Sequence, residues 1–199
     1  MIEVVPQSVA APLDLEKMFG RIAPLQIDLG CGEGSFLCEL AAQHPEKNFL
    51  GIERLSGRVA KACRKAGPSR TGGKIDNVHI LQIETSHAVR YLLPPRSVET
   101  FYLLFPDPWP KRRHHPRRIV TLEFIDSICT ALEENGLLHI ATDHADYFKQ
   151  ITQLTGASPG FATADPGGFE FPLTKFEKRF RAQGAPIYRL SLRKISPVT

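Results

Sequence analysis

The sequence predicts an α/β domain: a mostly parallel, seven-stranded sheet with helices on both faces and an antiparallel C-terminal strand. Three observations predict it. Short apolar runs alternate with helical patterns along most of the 199-residue chain, as βαβ units do. The first apolar run stops at Gly30, Gly32 and Gly34, and an amphipathic helical pattern opens directly after them. Residues 187–195 (IYRLSLRKI) alternate apolar and polar, as a half-buried antiparallel strand does.

Taken in order, residues 1–24 form a short N-terminal segment to one domain spanning 1–199. Within it, 14–19 (DLEKMF) has room for a helical turn or two, ended by Pro24. Residues 25–29 (LQIDL) read as a buried strand. The helix over 35–43 puts Phe36, Leu37, Leu40 and Ala41 on one face. A strand over 48–52 ends at Glu53, and a helix over 55–66 carries basic outer positions. A loop (67–76), a strand (78–83) and a short helix (87–93) closed by Pro94 and Pro95 follow. The fourth strand spans 98–105. A long amphipathic helix spans 119–134 and stops at Asn135-Gly136. Residues 137–141 form a strand, 144–154 a helix, 161–163 a short strand, and 187–195 the last strand.

In such sheets ligands sit beyond the carboxyl ends of the strands, near the point where strand order reverses. The loops after the first four strands therefore line one crevice. That gathers Asp28 to Gly34, Glu53, the segment Glu84 to His87, and Asp107.

No run approaches the ~20 apolar residues of a membrane span. The first residues lack the basic and apolar blocks of a signal peptide. Cys31, Cys38, Cys63 and Cys129 are scattered with no CxxC pair, which points to reduced thiols in a cytoplasmic protein. The adjacent His114 and His115 have no acid or Cys at ligand spacing, so no metal is expected. A Gly-x-Ser-x-Gly nucleophile elbow is absent.

The net charge of +4 is unevenly spread. Residues 1–110 balance, 111–118 add five cations, 119–174 carry an excess of acids, and 175–199 are again basic. Two basic segments on an otherwise acidic body suit a phosphate-rich partner; the alternative is two solvated charge runs.

The stretch 105–118 (FPDPWPKRRHHPRR) holds the only Trp, Trp109, and sets Asp107 between Pro106 and Pro108. Its four prolines exclude a regular helix or inner strand, so it is an ordered loop. Trp109 either stacks on a base or packs beneath the loop. Lys111, Arg112, Arg113, Arg117 and Arg118 are candidates for RNA phosphates.

DLGCGEG (Asp28 to Gly34) has GxGxG spacing, with its third glycine one residue earlier than in the dinucleotide fingerprint. Its glycines allow close backbone approach, and the acid Asp28 suits the ammonium of S-adenosylmethionine. Glu53 suits the ribose hydroxyls of that ligand or of a nicotinamide nucleotide. The alternatives are a tight strand–helix turn, and an acid complementing a helix dipole.

With FPDPWPK in place, the chain resembles the bacterial tRNA (guanine-N7-)-methyltransferases. The resemblance rests on DLGCGEG, FLGIE (49–53), FPDPWPKRRHHPRR, ATDHADY (141–147) and TKFEKR (174–179), and runs from about residue 25 to 195. It implies a Rossmann-like class I methyltransferase fold and S-adenosylmethionine as methyl donor. It also implies methylation at N7 of guanine 46 in the tRNA variable loop. It implies cofactor binding by Asp28, Gly30, Gly32, Gly34, Glu53 and Asp107, with Asp107 also catalytic. It assigns substrate contact to Lys111, Asp143, Thr174, Lys175, Phe176 and Glu177. The chain departs from the family at His87, where an acid or amide usually accepts from the adenine amino group. A neutral imidazole accepts one such bond, or backbone near Ser86 takes its place. The arm before the core is short. The partner implied is tRNA, with a monomer or homodimer both compatible. The rival readings are a methyltransferase for another RNA, a protein or a small molecule, a nicotinamide-dependent oxidoreductase, and a non-catalytic RNA-binding module.

Overall fold

Apolar runs flanked by glycine or polar residues form the strands, because their side chains can be buried on both faces. In the computed structural model, which describes residues 2–6, 8–67, 75–165 and 171–195, the strands are β1 (Glu3–Val4), β2 (Leu25–Leu29), β3 (Asn48–Glu53), β4 (Val78–Gln82), β5 (Val98–Leu104), β6 (Leu132–Thr142), β7 (Phe161–Thr163) and β8 (Tyr188–Lys194). They make one sheet in the order β1-β4-β3-β2-β5-β6-β8-β7. All pairs from β1 to β6 are parallel, and β8 runs antiparallel to both β6 and β7.

The helices are α1 (Leu15–Phe19), α2 (Ser35–Gln43), α3 (Ser56–Ala66), α4 (Thr85–His87), α5 (Leu122–Ala131), α6 (Ala145–Gly156) and α7 (Lys175–Ala182). Every residue of β2 and β3 is buried. Their alternate side chains feed two cores. On one face Ile27, Ile52, Phe101 and Leu103 meet Phe124, Ile128, Tyr147 and Ile151 of α5 and α6. On the other, Phe49, Ile80 and Tyr102 meet Leu37, Leu40, Val59 and Ala62 of α2 and α3. Helices therefore cover both faces, as the pattern requires. The strand order reverses between β2 and β5, so the crevice opens at their carboxyl ends.

The sheet has eight strands where the sequence predicts seven. The extra one, β1, is only two residues long and pairs with Ile80 and Leu81 at the sheet edge. Helix α1 is capped by Asp14 and ends at Gly20, whose φ is 66°, four residues before Pro24. Helix α5 is shorter than predicted. β6 begins immediately at Leu132, which pairs with Val98, and the register then shifts so that Leu137 pairs with Thr100. Glu133 to Gly136 bulge out between those pairs, with Asn135 at φ 65°. The predicted helix over 87–93 is the α4 turn followed by a π-helical turn, Ala88–Leu92. Helix α7 is not expected from the sequence at all. Of the predicted loop over 67–76, residues 68–74 lie outside the described residues.

Candidate active site

The glycine loop turns because three of its residues are left-handed: Gly30 (φ 78°), Gly32 (φ 56°) and Gly34 (φ 68°). Gly30 and Cys31 both donate to the Ile52 carbonyl, which docks the loop on the end of β3. A side chain at Gly34 would meet the Ala62 Cβ at 2.9 Å, whereas Cβ positions at Gly30 and Gly32 face open space. One glycine thus serves packing, and two leave the backbone open to a ligand.

Asp28 lies at the floor of the loop, 4% exposed. Burial, and then the charge of Glu53, push its carboxyl up to about 7. Glu53 is also buried. Its Oε2 accepts from Gly32 N at 3.2 Å and its Oε1 from Leu55 N at 2.9 Å. Two buried acids beside an open left-handed backbone fit a ligand carrying an ammonium and a ribose diol. The residues present therefore fit S-adenosylmethionine, with Asp28 for the ammonium and Glu53 for the hydroxyls.

His87 donates from Nε2 to the Val9 carbonyl at 2.6 Å, since a carbonyl only accepts. In the neutral ring this leaves Nδ1 as an acceptor. The N-terminal segment sets that tautomer. Sequence spacing carried no hint of the contact.

The loop after β5 is stiffened beyond its prolines. Phe105 (φ 56°) and Trp109 (φ 42°) are both left-handed and bracket Pro106-Asp107-Pro108. Phe105 N donates to the Ala141 carbonyl at 2.7 Å, fastening the bend to β6. Asp107 itself is exposed, and Asp143 is half-buried just past the end of β6. Residues Arg112–Arg117 form a 3-10 helix that includes Pro116. Trp109 is half-buried, with the His114 ring edge-on at 5.7 Å and the Arg117 guanidinium 5.1 Å from its ring centre. That is packing within the loop.

Arg118 corrects the expectation of five outward cations. It is 3% exposed. Its Nε donates to the Pro108 carbonyl at 2.8 Å, one terminal nitrogen donates to Gln150, and the other pairs with Asp146 at 3.0 Å. Its guanidinium also lies 4.7 Å from the Tyr147 ring centre. Arg118 anchors the loop to α6 and is unavailable to a phosphate. Lys111, Arg112, Arg113 and Arg117 are exposed.

The segment after β7 makes its polar contacts within the protein. Thr174 caps α7 by accepting from Glu177 N at 3.0 Å, so its buried hydroxyl is engaged within the protein. Glu177 is buried, and its Oε1 accepts from Arg181 and Arg189. Lys175 pairs with Glu33 at 2.6 Å. Phe176 is 46% exposed, and the Phe105 and Phe180 ring centres are 5.4 Å apart. A cavity of about 260 Å³ opens between α7, the start of α2 and the ends of β5 and β6. Phe36, Leu104, Ala141, Phe171, Glu177 and Arg189 are among its walls.

Among the described residues no cluster of three or more His, Cys, Asp or Glu could hold a metal. No helix among them is long and apolar enough to cross a membrane.

A family model described as a putative methyltransferase matches residues 22–190. The tRNA (guanine-N(7)-)-methyltransferase of Alkalilimnicola ehrlichii is 37% identical over 188 residues, covering 92% of this chain and 78% of that one. Its counterpart from Halorhodospira halophila is also 37% identical, covering 91% and 79%. Among solved structures, the 16S rRNA methyltransferase KamB superposes with a TM-score of 0.67 at 15% identity, covering 98% of this chain and all of that one. An antibiotic-related methyltransferase gives 0.67 at 19% identity, covering 94% and 95%. The solved structures establish the class I methyltransferase fold, and by its curated relatives the chain belongs to the tRNA (guanine-N(7)-)-methyltransferase family.

Proposed function

We propose that this protein transfers the methyl group of S-adenosylmethionine to N7 of guanine in tRNA, with guanine 46 of the variable loop as its target. One observation carries the reading. An open glycine loop with two buried acids follows β2 and β3, and a rigid, acid-bearing loop follows the neighbouring β5 and continues into exposed cations, which supports it.

Bound S-adenosylmethionine supplies an electrophilic methyl sulfonium. Guanine N7 offers a lone pair and no proton, so the protein needs no general base. Its task is alignment and stabilisation of the positive charge that develops on the base. Asp107, fixed between two prolines and two left-handed aromatics, provides a preorganised negative charge at the crevice. Asp28, Glu53 and the Nδ1 of His87 hold the donor.

The cavity beside α7 receives the target base, extruded from the folded tRNA. Arg181 and Arg189 occupy one oxygen of Glu177. The other is the acceptor for the N1–H and N2 amino donors of guanine. Lys111, Arg112, Arg113 and Arg117 grip the phosphates, and Asp143 and Phe176 flank the base's entry.

The test incubates the protein with radiolabelled S-adenosylmethionine and an unmodified tRNA transcript, then maps the modified base. Label at N7 of the variable-loop guanine is expected. Label on another atom, or equal transfer to free guanosine, overturns the reading.

A further inference from the structure

The charge census along the chain hides a third basic element. Residues 1–110 are neutral in sum, yet 54–66 (RLSGRVAKACRKA) contain five cations and no acid. Folding turns this segment into α3. Val59, Ala62 and Ala66 are buried, while Arg58, Lys61, Arg64 and Lys65 are exposed.

This stripe joins the rest of the basic surface through Glu33, between two left-handed glycines of the cofactor loop. Lys61 meets its Oε1 at 2.7 Å and Lys175 of α7 its Oε2 at 2.6 Å. Lys65 donates to the Glu33 carbonyl at 3.1 Å and to the Ser35 hydroxyl. One carboxylate is set against three ammonium groups, so the local charge stays positive. Helix α7 in turn reaches the β5 loop through Phe180 and Phe105. Contacts therefore run unbroken from the loop bearing Lys111 to the outer face of α3.

We propose that the exposed cations of α3, Lys61 and Arg64 foremost, form a further contact with the tRNA sugar–phosphate backbone, across the glycine loop from Lys111 to Arg113. The charge complementarity names the occupant: a polyanion gripped by Lys111, Arg112, Arg113 and Arg117 meets the α3 stripe next. The inference rests on tRNA being the substrate. Phosphate contacts of this kind position the RNA without reading its sequence.

The experiment measures tRNA binding over a series of KCl concentrations for the wild type, Arg64→Gln, Lys61→Gln and Arg64→Lys. Each neutralised phosphate contact lowers the slope of log affinity against log salt by about 0.7–0.9. Both Gln variants should show that drop and weaken tRNA binding several-fold, and Arg64→Lys should retain the wild-type slope. S-adenosylmethionine affinity without RNA is measured in parallel and should hold in Arg64→Gln. A wild-type slope in both Gln variants overturns the proposal. So does weakened cofactor binding in Lys61→Gln and Arg64→Gln with the salt slope unmoved. Because the slope is read by binding, a failure of methyl transfer counts against the functional reading alone.

Discussion

Arg118 donates from Nε to the carbonyl of Pro108, ten residues earlier, and so closes the loop that carries Asp107. The same guanidinium binds Gln150 and Asp146 of α6 and covers the Tyr147 ring. The rigidity of the active-site loop is thus a property of a buried cation as well as of prolines. Arg118→Ala should cost about 2–3 kcal/mol of stability through the lost charge-assisted hydrogen bonds. The pair with exposed Asp146 adds little. It should also lower kcat more than it raises the tRNA KM. Arg118→Lys should recover little, because one ammonium cannot serve three directions. Urea unfolding and steady-state kinetics measure both effects. A kcat unchanged in Arg118→Ala would remove the positioning role.

With Asp28 proposed to face the cofactor's ammonium, cofactor binding should depend on pH. Its carboxyl is raised from 3.8 to about 7, chiefly by burial and then by Glu53. Between those values the folded state binds more protons than the unfolded chain. The contribution of Asp28 to stability of the ligand-free protein is therefore full below about 4 and lost as pH rises through about 7. A cation ligand has the opposite preference, since it requires the ionised carboxylate. S-adenosylmethionine affinity should rise about tenfold from pH 6 to 8, with proton release on binding. Calorimetry in buffers of different ionisation enthalpy reads that release. Asp28→Asn should bind weakly and lose the pH slope.

The strand ladder and the glycine loop were legible because their signals are local: apolar runs, turn residues, and a helix pattern opening after Gly34. The two-residue β1 was not, since Glu3 and Val4 form a strand only by pairing with β4. Helix α7 was hidden because its basic, weakly apolar sequence KFEKRFRA is held by the Thr174 cap and by Glu177 pairing with Arg189 of β8. A run of cations gives charge but not direction: Arg118 turns inward because the Pro108 carbonyl, Gln150 and Asp146 bind it, the last two some thirty residues on. The motifs mark Asp107 and Glu177 as candidates; Arg181 lies one helical turn after Glu177, whereas Arg189 reaches it from β8.

The glycines of the loop should separate by substitution. Gly34→Ala places a Cβ 2.9 Å from that of Ala62 and 3.2 Å from its Cα, where backbone cannot yield. Together with the left-handed φ, whose cost alone is about 1–2 kcal/mol, this should lower thermal stability markedly. Gly32→Ala meets no protein atom. It should cost mainly the backbone strain and, if the loop cradles the cofactor as proposed, lose cofactor affinity to a larger degree. Equal stability losses in the two variants would contradict the division between packing and access.

Asp107 and Glu177 should fail in distinguishable ways. Asp107→Ala should retain tRNA binding and lose most methyl transfer in single-turnover assays; near-normal turnover would sink its catalytic role. Glu177 tests recognition of the base. A tRNA carrying inosine at the target lacks the N2 amino donor, so wild-type transfer should fall by 1–3 kcal/mol in ΔΔG‡, about 5- to 150-fold. In Glu177→Gln the carboxylate is gone but the shape is kept, and its amide oxygen turns toward Arg181 and Arg189. The inosine penalty should then shrink to near unity while transfer to guanine drops. If the penalty persists undiminished, the guanine edge is read by a group other than Glu177.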